Sequence, residues 1–350
     1  MKVDRLKFLN ELESVTPGLS TREIIEQSSC FVFDGSKVMT FNGEIACFQD
    51  CSVKIKGAVQ SARLLALLRK LQEDTIDVSV EKDELLIKGK GRRRGGFPLE
   101  KEVVLAVSSV KTPKHWHDLP HDFLEAVKLI QECLDKDESD FRFACMYLHP
   151  EHVDGCGKFE IARYKVAMPL KKPLLVRKEA IKYVSSLGMT SFGVAKGWIH
   201  FTNPNGLALA CCTYLEEYPD ITPLLKVKGT EMRLPKGLEQ ASDRAAVLSQ
   251  DADENHVGVK IMQSRVEVTG RSVHGWWKES KKTDYAGKEF DFTISPQLLS
   301  YILKNYNDCI LSDEKLKVKS GKFQYATTLG TTNKENQAEN EEVENNVETK

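Results

Sequence analysis

One phrase recurs three times along this chain and limits its fold more than any other feature. Residues 57–71 read GAVQSARLLALLRKL, residues 174–187 read LLVRKEAIKYVSSL, and residues 292–306 read FTISPQLLSYILKNY. Each copy has an apolar strand end, a polar or Pro helix start, and then apolar residues at helical spacing. With Leu64, Ile181 and Leu299 aligned, the copies lie roughly 117 residues apart. No identity survives between them; only the pattern does.

A second recurrence lies upstream of each copy. Residues 3–15 (VDRLKFLNELESV), 119–134 (LPHDFLEAVKLIQECL) and 234–248 (LPKGLEQASDRAAVL) all show helical periodicity. The last two open on Leu-Pro, with Pro near the first turn where its missing N–H costs nothing. Between and after the helices come β-like runs with turn signals, such as CFVFDGSKVMTF, VGVKIMQSRVEVTGRS and TIDVSVEKDELLIKGKG. Each third therefore reads helix, strands, helix, strands, which makes the chain α+β. A period this long marks repeated domains, not a solenoid. Boundaries near 111 (KTPKHWH) and 229 (VKGTEMRLP) give three similar domains, 1–111, 112–229 and 230–330, joined by short linkers that hold them rigidly. Residues 331–350 carry six Glu and too little apolar surface to offset ordering entropy, so they read as a disordered acidic tail.

A length of 350 residues suits two or three domains, and 41% apolar residues can fill ordinary cores. No apolar run is long enough to span a membrane, and MKVDRLKFLNELES lacks the apolar stretch of a secretion signal. Nine cysteines, odd in number and without framework spacing, predict reduced thiols and a cytoplasmic protein. The net charge of −1 excludes no partner class; what matters is whether the cations gather on one surface.

Several motifs are set aside on their chemistry. GKGRRRGG (89–96), with Arg92, Arg93 and Arg94 between glycines, fails the phosphate-cradle pattern G-x-x-x-x-G-K-[ST]. It reads either as a mobile hairpin turn or as a loop touching nucleic acid. HPEHVDGC offers His149, His152 and Cys156, and HWHDLPH offers His115, His117 and His121. Neither has the paired C-x-x-C spacing of a zinc site, so loop histidines are the expectation. Cys211–Cys212 sits in an apolar strand and reads as core. Trp276–Trp277 reads as edge packing on a sheet, with stacking on a single-stranded base the alternative. No Ser-His-Asp order or nucleophile elbow stands out, and no cofactor or metal is expected.

Three segments carry a family resemblance. GLEQASDRAAVLSQDADENHVGVKI (237–261) is similar to the opening helix of the third domain of the bacterial DNA sliding clamp, the beta subunit of the replicative DNA polymerase III. YAGKEFDFTISPQLLSYIL (285–303) resembles that family's last helix with its preceding strand. EEYPDITPLL (216–225) resembles the turn between its second and third domains. The likeness covers about residues 1–330, in the right order and spacing. It implies a non-enzymatic processivity factor: three similar domains per chain, two chains head to tail in a closed homodimeric ring, helices lining the hole. The implied partners are double-stranded DNA, the replicative polymerase and an ATP-dependent clamp loader.

The resemblance also implies site residues. Duplex DNA carries about one charge per 1.7 Å, so a Lys/Arg lining holds any sequence through its phosphates. The second helices carry Arg63, Arg69, Lys70, Arg177, Lys178, Lys182 and Lys304; the first helices carry Lys2, Arg5, Lys128 and Arg244. Arg22, in PGLSTREII, matches a family loop position that touches DNA. Ring closure would pair strand edges of domains 1 and 3, with Val247 and Leu248 at the family's apolar interface positions and Phe97 meeting them. The pocket for short apolar partner peptides would involve Pro219, Leu224, Thr327 and Leu329. The family's pocket segment T-D-G-x-R-L aligns with KFEIARY (158–164), which supplies Ile161 and a displaced Arg163. The usual MPMRL ending is replaced by YATTLG and the acidic tail, a departure that suits a phage-encoded member. The alternatives are a clamp-like DNA-binding protein that forms no dimeric ring, and a metal-dependent enzyme built on His149, His152 and Cys156.

Overall fold

The computed structural model describes residues 1–135, 140–249, 256–306 and 308–329. The expected tail, 331–350, lies outside them. Among the described residues the chain runs three times through one order: a strand, a helix, four strands, a helix, three strands. The helices are α1 (Arg5–Ser14), α2 (Ser61–Lys70), α3 (Phe123–Ile130), α4 (Lys178–Ser186), α5 (Leu238–Val247) and α6 (Pro296–Asn305).

Local chemistry sets these helices. Asp4 caps α1 by accepting the Lys7 amide at 2.9 Å, and Ser295 caps α6 just ahead of Pro296. Helix α2 ends on Arg69 and Lys70, which suit the negative end of the helix dipole. The three aligned apolar positions of the repeated phrase, Leu64, Ile181 and Leu299, are all fully buried. Each lies on the buried face of its helix.

Contacts divide the chain into two compact units. The first contains Met1–Lys128, Tyr147–Pro150 and Ala167–Glu216. Its larger sheet has eight strands in the order Lys56–Gln60, Cys30–Asp34, Lys37–Phe41, Ile45–Asp50, Ala208–Cys212, Trp198–Thr202, Ser191–Ala195, His117–Asp118. At its centre Ile45–Asp50 pairs antiparallel with Ala208–Cys212, so Ala46 faces Ala210. A smaller sheet joins Lys2–Asp4, Thr75–Glu81, Glu84–Lys88 and Arg94–Pro98. Segment 99–110 covers one face of the larger sheet with Leu105 and Val110. The Gln27 side chain pins that segment, donating to Glu102 O and accepting from the Val104 and Leu105 amides.

The second unit contains Leu129–Met146, Glu151–Val166 and the described residues from Glu217 onward. One run of strands follows the order His152–Cys156, Glu160–Lys165, Phe323–Thr328, Lys315–Ser320, Asp308–Leu311, Thr230–Arg233. Here Glu160–Lys165 pairs antiparallel with Phe323–Thr328, so Ile161 faces Ala326. The other sheet is Gly275–Lys282, Arg265–Ser272, Val257–Met262, Phe290–Ile294. Helix α5 packs closely on it because residue 270 is glycine: a Cβ there would lie 1.8 Å from Ala245 O.

Candidate nucleic-acid interface and partner pocket

Most of the expected DNA contacts are exposed, and five of them are engaged in ion pairs, four of those five exposed as well. Arg22, Arg63, Lys70, Lys182, Lys304 and Arg92 are exposed, and Lys178 is half-buried. Five others are held within the chain. Arg69 pairs with Glu13 at 2.8 Å, Arg94 with Glu81 at 3.0 Å, and Arg177 with Glu44 at 2.9 Å. Arg244 grips Glu279 through two bonds of 2.8 Å, and Arg93 pairs with the buried carboxylate of Glu73. Arg5 departs from its expected lining role. It is buried, donating to Glu73 O at 2.7 Å and Leu68 O at 3.2 Å, so it ties α1 to the end of α2.

Charge is uneven among the helices. Helix α2 (SARLLALLRK) carries three cations and no acid, and α4 (KEAIKYVSS) carries Lys178 and Lys182 against Glu179. Helix α5 (LEQASDRAAV) offers only Arg244 against Glu239 and Asp243, and α6 only Lys304. Among these four helices, excess positive charge lies mainly on the two of the first unit.

In the second unit a cavity of about 500 Å³ opens beside the strands Glu160–Lys165 and Phe323–Thr328. Ile161, Leu224 and Thr327 line it, together with Phe143, Phe159 and Ala326. Phe143 and Phe159 are lining residues that the sequence does not mark. Phe159 is 54% exposed and carries Lys158 Nζ 5.3 Å from its ring centroid. Leu329 lines an adjoining cleft that shares Phe159, Thr327 and Thr328 with the first.

Arg163 and Pro219 are not among the lining residues. Arg163 instead bonds Asp154 at 2.8 and 2.7 Å and donates to Thr222 Oγ1 at 3.0 Å, bracing the segment that presents Leu224. The Lys317 ammonium donates to Leu225 O in the same segment. The rim is acidic as well as apolar. Glu160 accepts from the Tyr325 hydroxyl at 2.7 Å, and Asp140 is held below the usual carboxyl range by the Arg142 side chain and amide. Burial first, then Asp135 and Asp154, push the Cys156 thiol up to about 11.

Among the described residues the four sheets end on eight edge strands, and two of these bear on the closure that the resemblance implies. Arg94–Pro98 pairs only with Glu84–Lys88, and Gly275–Lys282 only with Arg265–Ser272. Phe97 is half-buried on the first edge. Near the second, Val247 is 64% exposed at the end of α5, with Leu248 half-buried beside it. Trp277 pairs across the hairpin with Gly270 and so shares the α5 side. Trp276 and Trp277 are 62% and 42% exposed, more open than the edge packing expected of them.

The histidine clusters do not gather into a metal site. His152 Nδ1 lies 3.0 Å from Asp154 Oδ1, which Arg163 already engages, and the Cys156 thiol turns to Gly157 O. Among the described residues no group of three or more His, Cys, Asp or Glu is placed to hold a metal.

No protein-family model matches the sequence, and no curated protein does. Solved structures match along nearly the whole chain. The sliding clamp (DNA polymerase III subunit beta) of Pseudomonas aeruginosa bound to griselimycin superposes with a TM-score of 0.72 at 14% identity, covering 95% of this chain and 99% of that one. The DNA polymerase sliding clamp of Bacillus subtilis gives 0.73 at 13%, with 95% and 99% covered. The DNA polymerase III beta subunit of Thermotoga maritima gives 0.72 at 13%, again with 95% and 99%. The chain has the fold of these clamps.

Proposed function

We propose that this chain is a DNA sliding clamp, a processivity factor that encircles duplex DNA without reading its sequence and performs no chemistry. Its domains are 1–111, 112–229 and 230–330. Two copies close head to tail into a ring that tethers the replicative DNA polymerase and is opened by an ATP-dependent loader. The proposed location is the cytoplasm; no helix among the described residues is long and apolar enough to cross a membrane.

One observation carries the reading. Within the chain the eighth strand of one third pairs with the fourth strand of the third before it, twice: Ala208–Cys212 with Ile45–Asp50, and Phe323–Thr328 with Glu160–Lys165. That rule leaves over the eighth strand of the first third, Arg94–Pro98, and the fourth strand of the last, Gly275–Lys282. Both edges lack a strand partner among the described residues, and a second copy would satisfy both at once. Closure of this kind removes the exposed edges a sheet must otherwise guard. A two-fold pair repeats the contact and closes.

Holding is then topological, and each phosphate contact can stay weak. Exposed Arg22, Arg63, Lys70 and Lys182, with half-buried Lys178, supply attraction that is sequence-independent and screened by salt. The cavity at Ile161, Leu224 and Thr327 would take a short apolar peptide of a partner. The test is retention: the loaded protein stays on a nicked circular plasmid through gel filtration and leaves once a restriction enzyme linearises the circle. Equal loss from both forms overturns the topological reading.

A further inference from the structure

The arginine turn is built as part of the end of α2. Arg5, buried under α2, donates to Leu68 O and Glu73 O. The Glu73 carboxylate, with its side chain 3% exposed, receives Arg93 from the turn. Gly89 N closes the turn on Arg93 O at 3.1 Å. Gly91 takes a φ of +71° that a side-chain residue rarely adopts, although nothing would obstruct its Cβ. The GKGRRRGG turn is thus anchored at Arg93 on a buried acid.

Three nearby carboxylates are already occupied: Glu13 by Arg69, Glu73 by Arg93, and Glu81 by Lys88 and Arg94. What remains is Lys70 at the end of α2 and Lys90 and Arg92 on the turn. All three are exposed, and none has an ion pair among the described residues. Cations fixed on a rigid mount lose little entropy when they meet a polyanion.

We propose that the turn 89–94 is a second phosphate-contacting element that extends the cationic surface of α2 off the helix and onto the nucleic-acid backbone. Lys90 and Arg92 make the contacts, and Glu73 and Arg93 position them. This rests on the DNA-holding reading and adds to it contacts that no helix supplies.

The experiment measures anisotropy of a fluorescein-labelled duplex of arbitrary sequence across a salt series, for the full chain and its variants. Each phosphate contact contributes about 0.9 to the slope of log K against log salt, so Lys90→Gln with Arg92→Gln should flatten it by about 1.8. Between 50 and 200 mM salt the affinity loss then shrinks by about twelvefold. Arg92→Gln alone should remove about half of that slope change, with the melting temperature unchanged because both side chains are exposed and unpaired. If the turn variants keep the wild-type slope while Arg63→Gln with Lys70→Gln flattens it, the turn is not a contact and the DNA reading stands. If neither pair changes the slope, the DNA reading itself fails. If the turn variants lose binding to a poly-glutamate peptide but keep the DNA slope, the turn serves an acidic protein segment and the proposal is overturned.

Discussion

Substituting Val247→Asp tests ring closure at its most exposed apolar point. Val247 ends α5 with 64% of its surface open, on the same side of the sheet as Trp277, beside the free edge Gly275–Lys282. Full burial of a Val side chain is worth about 1.5–3 kcal/mol, so the open fraction leaves about 1–2 kcal/mol for a partner copy to recover at each junction. An Asp in its place forfeits that and adds a desolvation cost of at least about 2 kcal/mol. A closed pair has two such junctions, so the loss approaches 6–8 kcal/mol, or about four to six decades in the dissociation constant. The assay is mass in solution by light scattering at micromolar concentration. One chain weighs 39.5 kDa, so the wild type should run at about twice that, and Val247→Asp should run as a single chain. Ile24→Asp, at a side chain 88% exposed and far in sequence from either edge, should leave the mass unchanged. A single-chain mass for the wild type, or an undisturbed pair for Val247→Asp, refutes the reasoning.

Acid stability should report the Glu73–Arg93 mount. Its own main-chain amide and then Arg93 hold the Glu73 carboxyl below its ordinary value. The charged form is therefore favoured on folding, a contribution complete above the unfolded value of about 4.3 and lost as pH falls through the folded one. Glu73→Gln should flatten the melting-temperature profile below that pH, and an identical acid limb refutes the coupling. Thiol reactivity should report the cores: burial first of all pushes Cys47 and Cys51 up to about 12 and Cys30 up to about 11. At pH 8 the native chain should react slowly with iodoacetamide at these positions, and all nine cysteines should react once denaturant unfolds it. Rapid native labelling of Cys47 contradicts that packing.

Helical spacing made the repeated phrase legible, because the residues that bury a helix lie close in sequence. Leu64, Ile181 and Leu299 needed no distant information to be placed. Strand partners are another matter. Period-two alternation says which face of Ile45–Asp50 is buried, but not that Ala208–Cys212 pairs with it. The same limit explains the cations. Arg177 looks like a free helix-start cation until Glu44 arrives from 133 residues away, and Arg244 until Glu279 meets it from 35. Arg5 reads as a surface residue at a helix start, and only the fold shows its acceptors, Leu68 O and Glu73 O. In the cavity, Ile161 and Leu224 were reachable through the resemblance, whereas Phe143 and Phe159 gave no periodic signal. Phe159 sits at a hairpin turn, where exposure is decided by loop geometry and not by alternation.

The two internal junctions carry equivalent positions with different side chains, and this accounts for the cavity. Ala46 faces Ala210, which pairs with His200, and Ile161 faces Ala326, which pairs with Lys317. His200 and Lys317 are both buried, and both tether the covering segment through a carbonyl: Nε2 of His200 lies 2.8 Å from Lys111 O, and Lys317 donates to Leu225 O. Two residues earlier stand Trp198 in the first junction and Lys315 in the second. Across the neighbouring hairpin stand Phe41 and Cys156. Phe41 and Trp198 fill their junction, with ring centroids 6.0 Å apart, while Cys156 and Lys315 line the open cavity. The occupied and the open site thus differ by two aromatic rings at matched positions. Cys156→Phe with Lys315→Trp should therefore plug the second site as the first is plugged. Short apolar peptides selected on the wild-type chain should bind the plugged variant at least about tenfold more weakly, a loss of about 1.4 kcal/mol, while its mass in solution stays that of the wild type. Undiminished peptide binding would mean that the cavity at Ile161 and Leu224 is not where partners dock.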